Sequence, residues 1–447
     1  MIDSVNKFQQ LLTQNHHYDV ACDKSHSYSH SQFLKDVTQC SANISELPHQ
    51  SYLLFVDNSY DFAVNFIALL ILQKDIVLTA NNKPEWLTHI KPNFDAAIGE
   101  VSLDSVLPSK HFSSNSGLNS PDTLIVPTTL NSTVVFFTSG STSKPKSISK
   151  SINQILTEVS VIESVFGSSV THCQFLSTVS QHHIYGLIFR LLWPLLYRHT
   201  FYADIVLYQE QLKSLCQDKK AICLISSPAF LSRQDLNLGT VSLKQCFSSG
   251  SLLNHASAQT ACHQLGVFPT EVFGSTETGG IGYRNQNNSN DVWTLFPNIT
   301  IHKQANQPAI LSTPYLNQTI LLDDDLELLS DHQFKLLGRM DRIVKIEEKR
   351  VSLDAIEHTL TSSLFIEEAK VVVLQHHRTY LGAIIVLSEQ GRELLNQYNK
   401  KHLNQLFKLQ LAETYESVAI PRKWRYLECL PYNTQGKLTL EQLTALF

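Results

Sequence analysis

Residues 134–150 read VVFFTSGSTSKPKSISK. Four apolar residues make a strand, which runs into small hydroxyl side chains around one glycine, Gly140, with Lys144 and Lys146 close behind. Small residues let a backbone approach a ligand, so N–H groups, hydroxyls and an ammonium can converge on phosphate oxygens. Taken alone, the same composition is also that of a Ser-rich surface turn before a helix. It is not a Walker A loop, because GxxxxGK[ST] needs a second glycine before the lysine and Pro145 stands near that place.

Outward from this stretch, branched apolar runs alternate with helical patterns through the first 340 residues: SYLLFV at 51–56, NFIALLIL at 65–72, DIVLTA at 75–80. Such alternation predicts α/β layering. The most apolar run, 62–72, contains Asn65 and falls short of the ~20 residues of a membrane span, so it reads as a buried helix. Polar stretches at 113–123 and 284–291 read as surface loops. After Gly338-Arg339 the texture changes: VSLDAIEHTL reads as a helix, AKVVVLQ and YLGAIIVLS as strands, and 391–412 as a further helical stretch. The expected architecture is a large multi-subdomain α/β domain over 1–338 and a small α+β domain over 339–447.

With 447 residues, 43% hydrophobic, the chain has material for large cores, and 16 Gly and 15 Pro exclude a low-complexity polymer. A net charge of −5 gives no general cationic field, so nucleic acid is not an expected partner. Eight cysteines without a CxxC pair, and an N-terminus without a basic and apolar leader, fit a cytoplasmic protein with reduced thiols and no integral membrane segment.

Three more stretches carry chemistry. In EVFGSTETGG (271–280), Phe273 offers a flat face to a base, Gly274 permits close approach, Thr276 a hydroxyl, and Glu277 a hard oxygen for Mg²⁺. LGRMDRIVKIEEKRVSLDAIE (337–357) follows the acidic cluster 323–325, and LPYNTQGKL (430–438) presents Lys437 on a turn. Each alone is equally a plain turn, a solvated linker or a surface lysine.

In this order the four stretches resemble the adenylate-forming (AMP-binding, acyl/aryl-CoA synthetase-like) superfamily. TSGSTSKPK is similar to its phosphate loop, FGSTE to its aromatic-Gly-x-Thr-Glu motif, GRMDRIVK to its hinge, and LPYNTQGK to its C-terminal lysine motif. The resemblance runs from about residue 50 to the C-terminus. The short length, HHIYGLIFRLLWPL and KIEEKRVSL look most like compact stand-alone bacterial acyl or aryl carrier-protein ligases of lipid or aryl-polyene synthesis. It implies ATP-dependent activation of an acyl or aryl carboxylic acid to an acyl-adenylate, with loss of pyrophosphate. Transfer to a phosphopantetheine thiol of CoA or a holo-acyl carrier protein follows, and Mg²⁺ assists.

By motif position the resemblance implies that Thr138, Ser139, Gly140, Ser141, Thr142 and Lys146 hold the β- and γ-phosphates. Ser249, Gly250, Phe273 and Gly274 form the adenine pocket, Thr276 meets the α-phosphate, and Glu277 binds Mg²⁺. Asp324, fourteen residues before Gly338, takes the ribose hydroxyls with Arg339, Asp325 being one position off. Lys437 bridges carboxylate and α-phosphate, Asp341 stands at the hinge of a mobile small domain, and His183 lies near the carboxylate pocket. His182 and His183 also read as a hydrogen-bonded pair beside the core.

The sequence departs from the family pattern at Ser143, at Asp323 and at Glu348, the last in the loop that passes the pantetheine arm. Arg422, Lys423 and Arg425 form a basic cluster for an acidic carrier protein, or a solvated surface. Trp193, Phe230 and Phe247 are loose candidates for the acid pocket. Competing readings are a nucleotide-binding pseudoenzyme or regulator of the same fold, and an unrelated P-loop ATPase.

Overall fold

The computed structural model describes residues 2–14, 16–79, 82–103, 106–107, 124–139, 145–217, 221–233, 239–288, 291–304, 307–346, 349–375, 379–432 and 438–447. Gly140, Ser141, Thr142, Ser143, Lys144, Glu348 and Lys437 therefore lie outside the described residues, as does the expected loop 113–123. The chain forms two compact units, residues 1–299 with 312–318, and residues 300–311 with 319–447.

One six-stranded sheet of the first unit is ordered Val106–Leu107, Ala96–Gly99, Ser51–Phe55, Asp75–Thr79, Thr133–Ser139, Pro145–Ser151. Its pairs are parallel except the last, which is antiparallel. The apolar run forms helix Ser59–Ile71, buried on every side and capped by Asn58, whose side chain accepts from the N–H groups of Tyr60 and Asp61. Asn65 is tolerated there because its amide donates to Asp61 O (2.9 Å) and its carbonyl accepts from Cys40 Sγ (3.4 Å), so no buried polar atom of the side chain is stranded.

Strands Thr133–Ser139 and Pro145–Ser151 pair antiparallel, which is against the alternative of a surface turn running directly into a helix. Thr138 pairs with Lys146 and Ser139 with Pro145, and the helix Ile152–Phe166 begins only after the return strand, at a capping box of Ser151 and Gln154. The strict alternation Lys146, Ile148, Lys150 is the reason, since a period of two places these three side chains on one face of a strand.

The second sheet of this unit runs, in order, Val292–Leu295, Gly279–Asn285, Thr270–Ser275, Gln245–Ser248, Ile222–Ser226, Gln174–Ser177, Phe201–Tyr202, Asp19–Cys22, Ser27–Ser29. From Thr270–Ser275 to Asp19–Cys22 the strands are parallel, so their carboxyl ends share one edge. Two side chains from the loop after Gln174–Ser177 tie this edge to the first sheet. Gln181 Nε2 donates to Val56 O (2.6 Å) and Asp57 O (3.1 Å), and Val56 N–H donates to His182 Nε2 (3.1 Å).

The stretch 284–291 is not simply a surface loop. Arg284 is buried at the end of strand Gly279–Asn285, where its guanidinium meets Glu271 at 2.7 Å and lies 4.6 Å over the Trp293 ring. A 3₁₀ turn, Gln286–Asn288, follows.

The second unit holds the hairpin Asp324–Ser330 with Gln333–Arg339, and a sheet of Ile366–Gln375, Thr379–Leu387 and Lys423–Leu427. Helices Leu353–Thr361 and Lys400–Ala412 cover that sheet through Ile356, Leu360, Leu403, Phe407 and Leu411. The stretch 391–412 is two helices, because Asn399 leaves the helical conformation and its side chain accepts from His402 N–H as a new N-cap. Within the second unit, Arg339 N–H at the end of the hairpin donates to Asp354 on helix Leu353–Thr361 (2.8 Å). Among the described residues no helix is long and apolar enough to cross a membrane.

His182 couples the fold to pH. It stacks on Phe55 at 4.3 Å, its Nδ1 faces Ser180 Oγ at 2.7 Å, and burial, helped by His183 and Arg190, lowers its pKa to about 3. The unfolded chain takes up this proton near pH 6.5 and the folded chain only near pH 3, so stability is full above pH 6.5 and falls as pH drops between the two. By linkage the loss at pH 5 relative to neutrality is about 2 kcal/mol from this group. Urea unfolding of the unaltered chain and of His182→Gln at pH 7 and pH 5 checks this: the variant loses less stability on acidification, and equal losses refute it.

Candidate nucleotide site

The carboxyl edge of the second sheet carries Ser249, Gly250, Phe273, Thr276, Glu277 and His183 among the predicted residues, while Thr138, Ser139 and Lys146 lie on the hairpin of the first sheet. Beyond Gln245–Ser248 comes Ser249, whose hydroxyl donates to Val272 O (2.8 Å) and so fixes the Ser249–Gly250 peptide beside the strand that carries Phe273. Gly250 has φ +95°, a conformation that favours glycine, and a Cβ there meets no described atom within 4 Å. Phe273 is half-buried and backed by Trp293 at 5.6 Å. An open peptide surface next to a supported aromatic ring fits a nucleobase. His183, half-buried, follows the loop after Gln174–Ser177 on the same edge, while its neighbour His182 belongs to the core.

Thr276 and Glu277 lie on the turn that joins Thr270–Ser275 to Gly279–Asn285. Ser275 and Thr278 close it by exchanging bonds, each N–H donating to the other's hydroxyl at 3.0 and 3.2 Å. Gly274 is required by the turn itself, because a Cβ would stand 2.2 Å from Gly279 O. The close approach expected of this glycine is thus made by its own chain.

Two lysines on one strand face reach this turn. Lys146 Nζ meets Glu277 Oε1 at 2.6 Å, both side chains being solvent-accessible (60% and 38% exposed). Lys150, only 3% exposed, donates from Nζ to the backbone carbonyl of Glu277 at 3.1 Å. Behind it stands Glu158, 5% exposed, whose Oε1 accepts from Gly280 N–H at 2.7 Å. Tyr315 completes the grip by donating its hydroxyl to Gly280 O. Burial pushes the Glu277 carboxyl up, but the Lys146 ammonium and local hydrogen bonds outweigh it and hold the group below the usual carboxylate range. Burial lowers the Lys150 ammonium, opposed by Glu158 and Glu277, and raises the Glu158 carboxyl, opposed by Lys150 and the Gly280 N–H. Glu277 is therefore an anionic hard oxygen on an accessible turn, a donor that suits Mg²⁺.

Sequence reasoning missed Lys150 and Glu158. The signal was present: Lys150 shares the alternation of Lys146, and Glu158 falls on the buried stripe of its helix with Ile155, Val159 and Ile162. A charge on an apolar stripe calls for a buried partner.

In the second unit, Asp324 and Arg339 are cross-strand partners of the hairpin, so the two residues expected at the ribose share one register position. The neighbouring Asp325 is taken by Lys303. Arg339 also approaches Asp323 at 3.7 Å, and Asp341 follows within the turn Met340–Arg342. In the basic cluster, Arg425 is committed elsewhere, donating to Leu446 O (2.7 Å) and covering the Phe447 ring (5.0 Å). The aromatic candidates separate: Phe247 and Trp193 pack together at 5.6 Å, whereas Phe230 belongs to a different cluster with Leu212 and Leu243.

A family model described as "AMP-binding enzyme" matches residues 76–331, more than half of the chain and the span that holds every contact of this turn. The chain belongs to the AMP-binding enzyme family. It is similar to a 4-coumarate–CoA ligase of Cereibacter sphaeroides, 27% identical over 261 residues, 58% of this chain and 60% of that one. A D-alanine–D-alanyl carrier protein ligase of Bacillus licheniformis is 28% identical over 113 residues, 25% of this chain and 22% of that one. The matched segments thus span about three fifths and about one fifth of those relatives. In fold, the chain is similar to ATP-bound MatB from Rhodopseudomonas palustris, with a TM-score of 0.81, 12% identity, and coverage of 99% of this chain and 98% of that one.

In this AMP-binding enzyme, Lys146 is the accessible cation nearest the turn motif among the contacts described, and it stands one residue past the loop hairpin's Ser139–Pro145 pair. Lys146→Ala is expected to weaken ATP binding about 10- to 100-fold, the worth of one charge-assisted contact of roughly 1.5–3 kcal/mol. Because exposed ion pairs contribute about 0–1 kcal/mol, thermal stability stays nearly unchanged. Calorimetric titration with ATP, beside a melting curve, measures both; unchanged affinity refutes the assignment.

Proposed function

We propose that this chain activates a carboxylic acid with ATP, releasing pyrophosphate, and passes the acyl group from the acyl-adenylate to a phosphopantetheine thiol. The observation that carries the reading is the junction of the phosphate-loop hairpin with the Thr276–Glu277 turn through Lys146. That junction lies inside the matched family span, and the hinge and lysine motifs follow it in sequence. A ligand held there has a cation and a carboxylate at its phosphates and an aromatic face at its base.

A carboxylate and ATP are both anions, so joining them is chiefly a matter of position and charge. Thr138, Ser139, Gly140, Ser141, Thr142 and Lys146 hold the β- and γ-phosphates in this reading, and Thr276 meets the α-phosphate. Ser249, Gly250, Phe273 and Gly274 border the base, and Asp324 with Arg339 takes the ribose. Glu277 holds Mg²⁺, which supplies neutralising charge to the phosphate oxygens when bound. His183 orients the acid. Lys437, at the end of the chain, lowers the repulsion between the attacking carboxylate and the α-phosphate. Movement between the two half-reactions is assigned to a boundary at 338/339 with Asp341 as hinge.

The acid is proposed to be aryl or acyl, in line with the 4-coumarate relative, and the acceptor to be CoA or an acyl carrier protein, in line with the carrier-protein relative. Glu348 bears on that choice, since a carboxylate in the pantetheine loop disfavours some acceptor paths. Lys437→Ala is expected to abolish acid-dependent pyrophosphate exchange into ATP while transfer from preformed acyl-adenylate continues, because only the first step needs that ammonium. An acid panel in the exchange assay, followed by CoA and holo-carrier protein, decides the reading. Release of AMP and pyrophosphate supports it; release of ADP and phosphate, or of neither, overturns it in favour of an ATPase or a non-catalytic binder.

A further inference from the structure

Among charged side chains, Lys150 and Glu158 differ from every proposed catalytic and ligand-binding residue: they are buried, they face each other's field, and their bonds go to main chain. Lys150 holds the carbonyl of Glu277 at 3.1 Å, and Glu158 holds the N–H of Gly280 at 2.7 Å. The turn is thereby fixed at two points from outside its own sheet, by a strand and a helix of the 134–166 segment. Lys146, on the same strand face, reaches the carboxylate of the very residue whose carbonyl Lys150 holds.

The fit is tight. Gly279 has φ +72°, and a Cβ there would stand 2.6 Å from Glu158 Oε2 and 2.7 Å from the Tyr315 ring. The Thr278-Gly279-Gly280 sequence therefore leaves room for the carboxylate to reach the peptide. A buried ammonium spent on one carbonyl, with a buried carboxylate spent on one N–H, is more than a hairpin turn needs, since Ser275 and Thr278 already close it.

We infer that Lys150 and Glu158 are a positioning pair, which sets the placement of Glu277 and Thr276 and so the affinity of the site for magnesium-bound ATP. The inference rests on the proposed reading for what Glu277 binds. Neither side chain touches the ligand; both act through the backbone of the turn.

The test is calorimetric binding of ATP with and without Mg²⁺ to the full chain and three variants, Lys150→Met, Glu158→Gln and the double variant, with melting curves alongside. Lys150→Met alone leaves a buried carboxylate uncompensated and is expected to melt early. The double variant keeps side-chain volume, removes both charges, and is expected to recover most of the melting temperature. Its affinity for Mg²⁺–ATP is nonetheless expected to stay about tenfold weaker, with a smaller deficit when Mg²⁺ is omitted, because Glu277 no longer has a fixed carbonyl.

A purely structural pair predicts the opposite, recovery of stability and of Mg²⁺–ATP affinity together, and a folded double variant that binds like the unaltered chain overturns the inference. An unaltered chain that binds Mg²⁺–ATP but makes no pyrophosphate with any acid overturns only the adenylation reading, and the pair is still judged by binding. One that binds no Mg²⁺–ATP overturns both.

Discussion

The bond from the Lys150 ammonium to the Glu277 carbonyl is the constraint on which the site depends, because it spans two sheets whose own hydrogen bonds do not fix one against the other. Within a sheet, register follows from the ladder; between sheets, apolar contact is directionless and tolerates sliding. Polar atoms do not tolerate it. Lys150 and Glu158 engage the turn, and Gln181 and His182 engage the backbone at 56–57. Together these contacts supply the directional links near the carboxyl edge.

Such links are expensive. Desolvating a lysine and a glutamate costs several kcal/mol each, and well-packed apolar residues of the same volume often leave a protein more stable. Their retention beside the turn is understandable if position matters more than stability there. The glycines agree: a Cβ on Gly274 would stand 2.2 Å from Gly279 O and one on Gly279 would stand 2.6 Å from Glu158, so both positions answer to the turn and its support rather than to a ligand. A motif that reads as a ligand cradle is partly a record of how its own backbone is held.

What the sequence revealed follows the same division between local and non-local causes. SYLLFV, DIVLTA and the 62–72 run announced a strand, a strand and a buried helix, since each pattern is set by neighbours in the chain. The hairpin at 134–150 was hidden because hydroxyl-rich turns precede helices and strands alike, and only the Lys146, Ile148, Lys150 alternation betrays the return strand. The break at Asn399 carried an N-cap signal inside an otherwise helical pattern. Lys150 and Glu158 were unreadable as a pair: each backbone partner lies more than 120 residues away in sequence, and nothing local says which distant peptide a charge will meet. The motifs were legible in the chain, but which distant backbone atoms would hold the Thr276–Glu277 turn was not.

The two lysines of one strand then divide the work by solvation. Lys146 and Glu277 are accessible, so their ion pair is worth about 0–1 kcal/mol and is readily exchanged for stronger partners. In the proposed reading, a phosphate for the ammonium and a divalent cation for the carboxylate are such partners. Lys150 has no such freedom, since leaving the carbonyl would strand a buried charge. Four residues apart on one face, an exchangeable cation and a fixed one therefore act on the same glutamate, the first on its carboxylate and the second on its backbone. In the proposed reading, ligands exchange at the carboxylate while the backbone of the turn that receives them stays held.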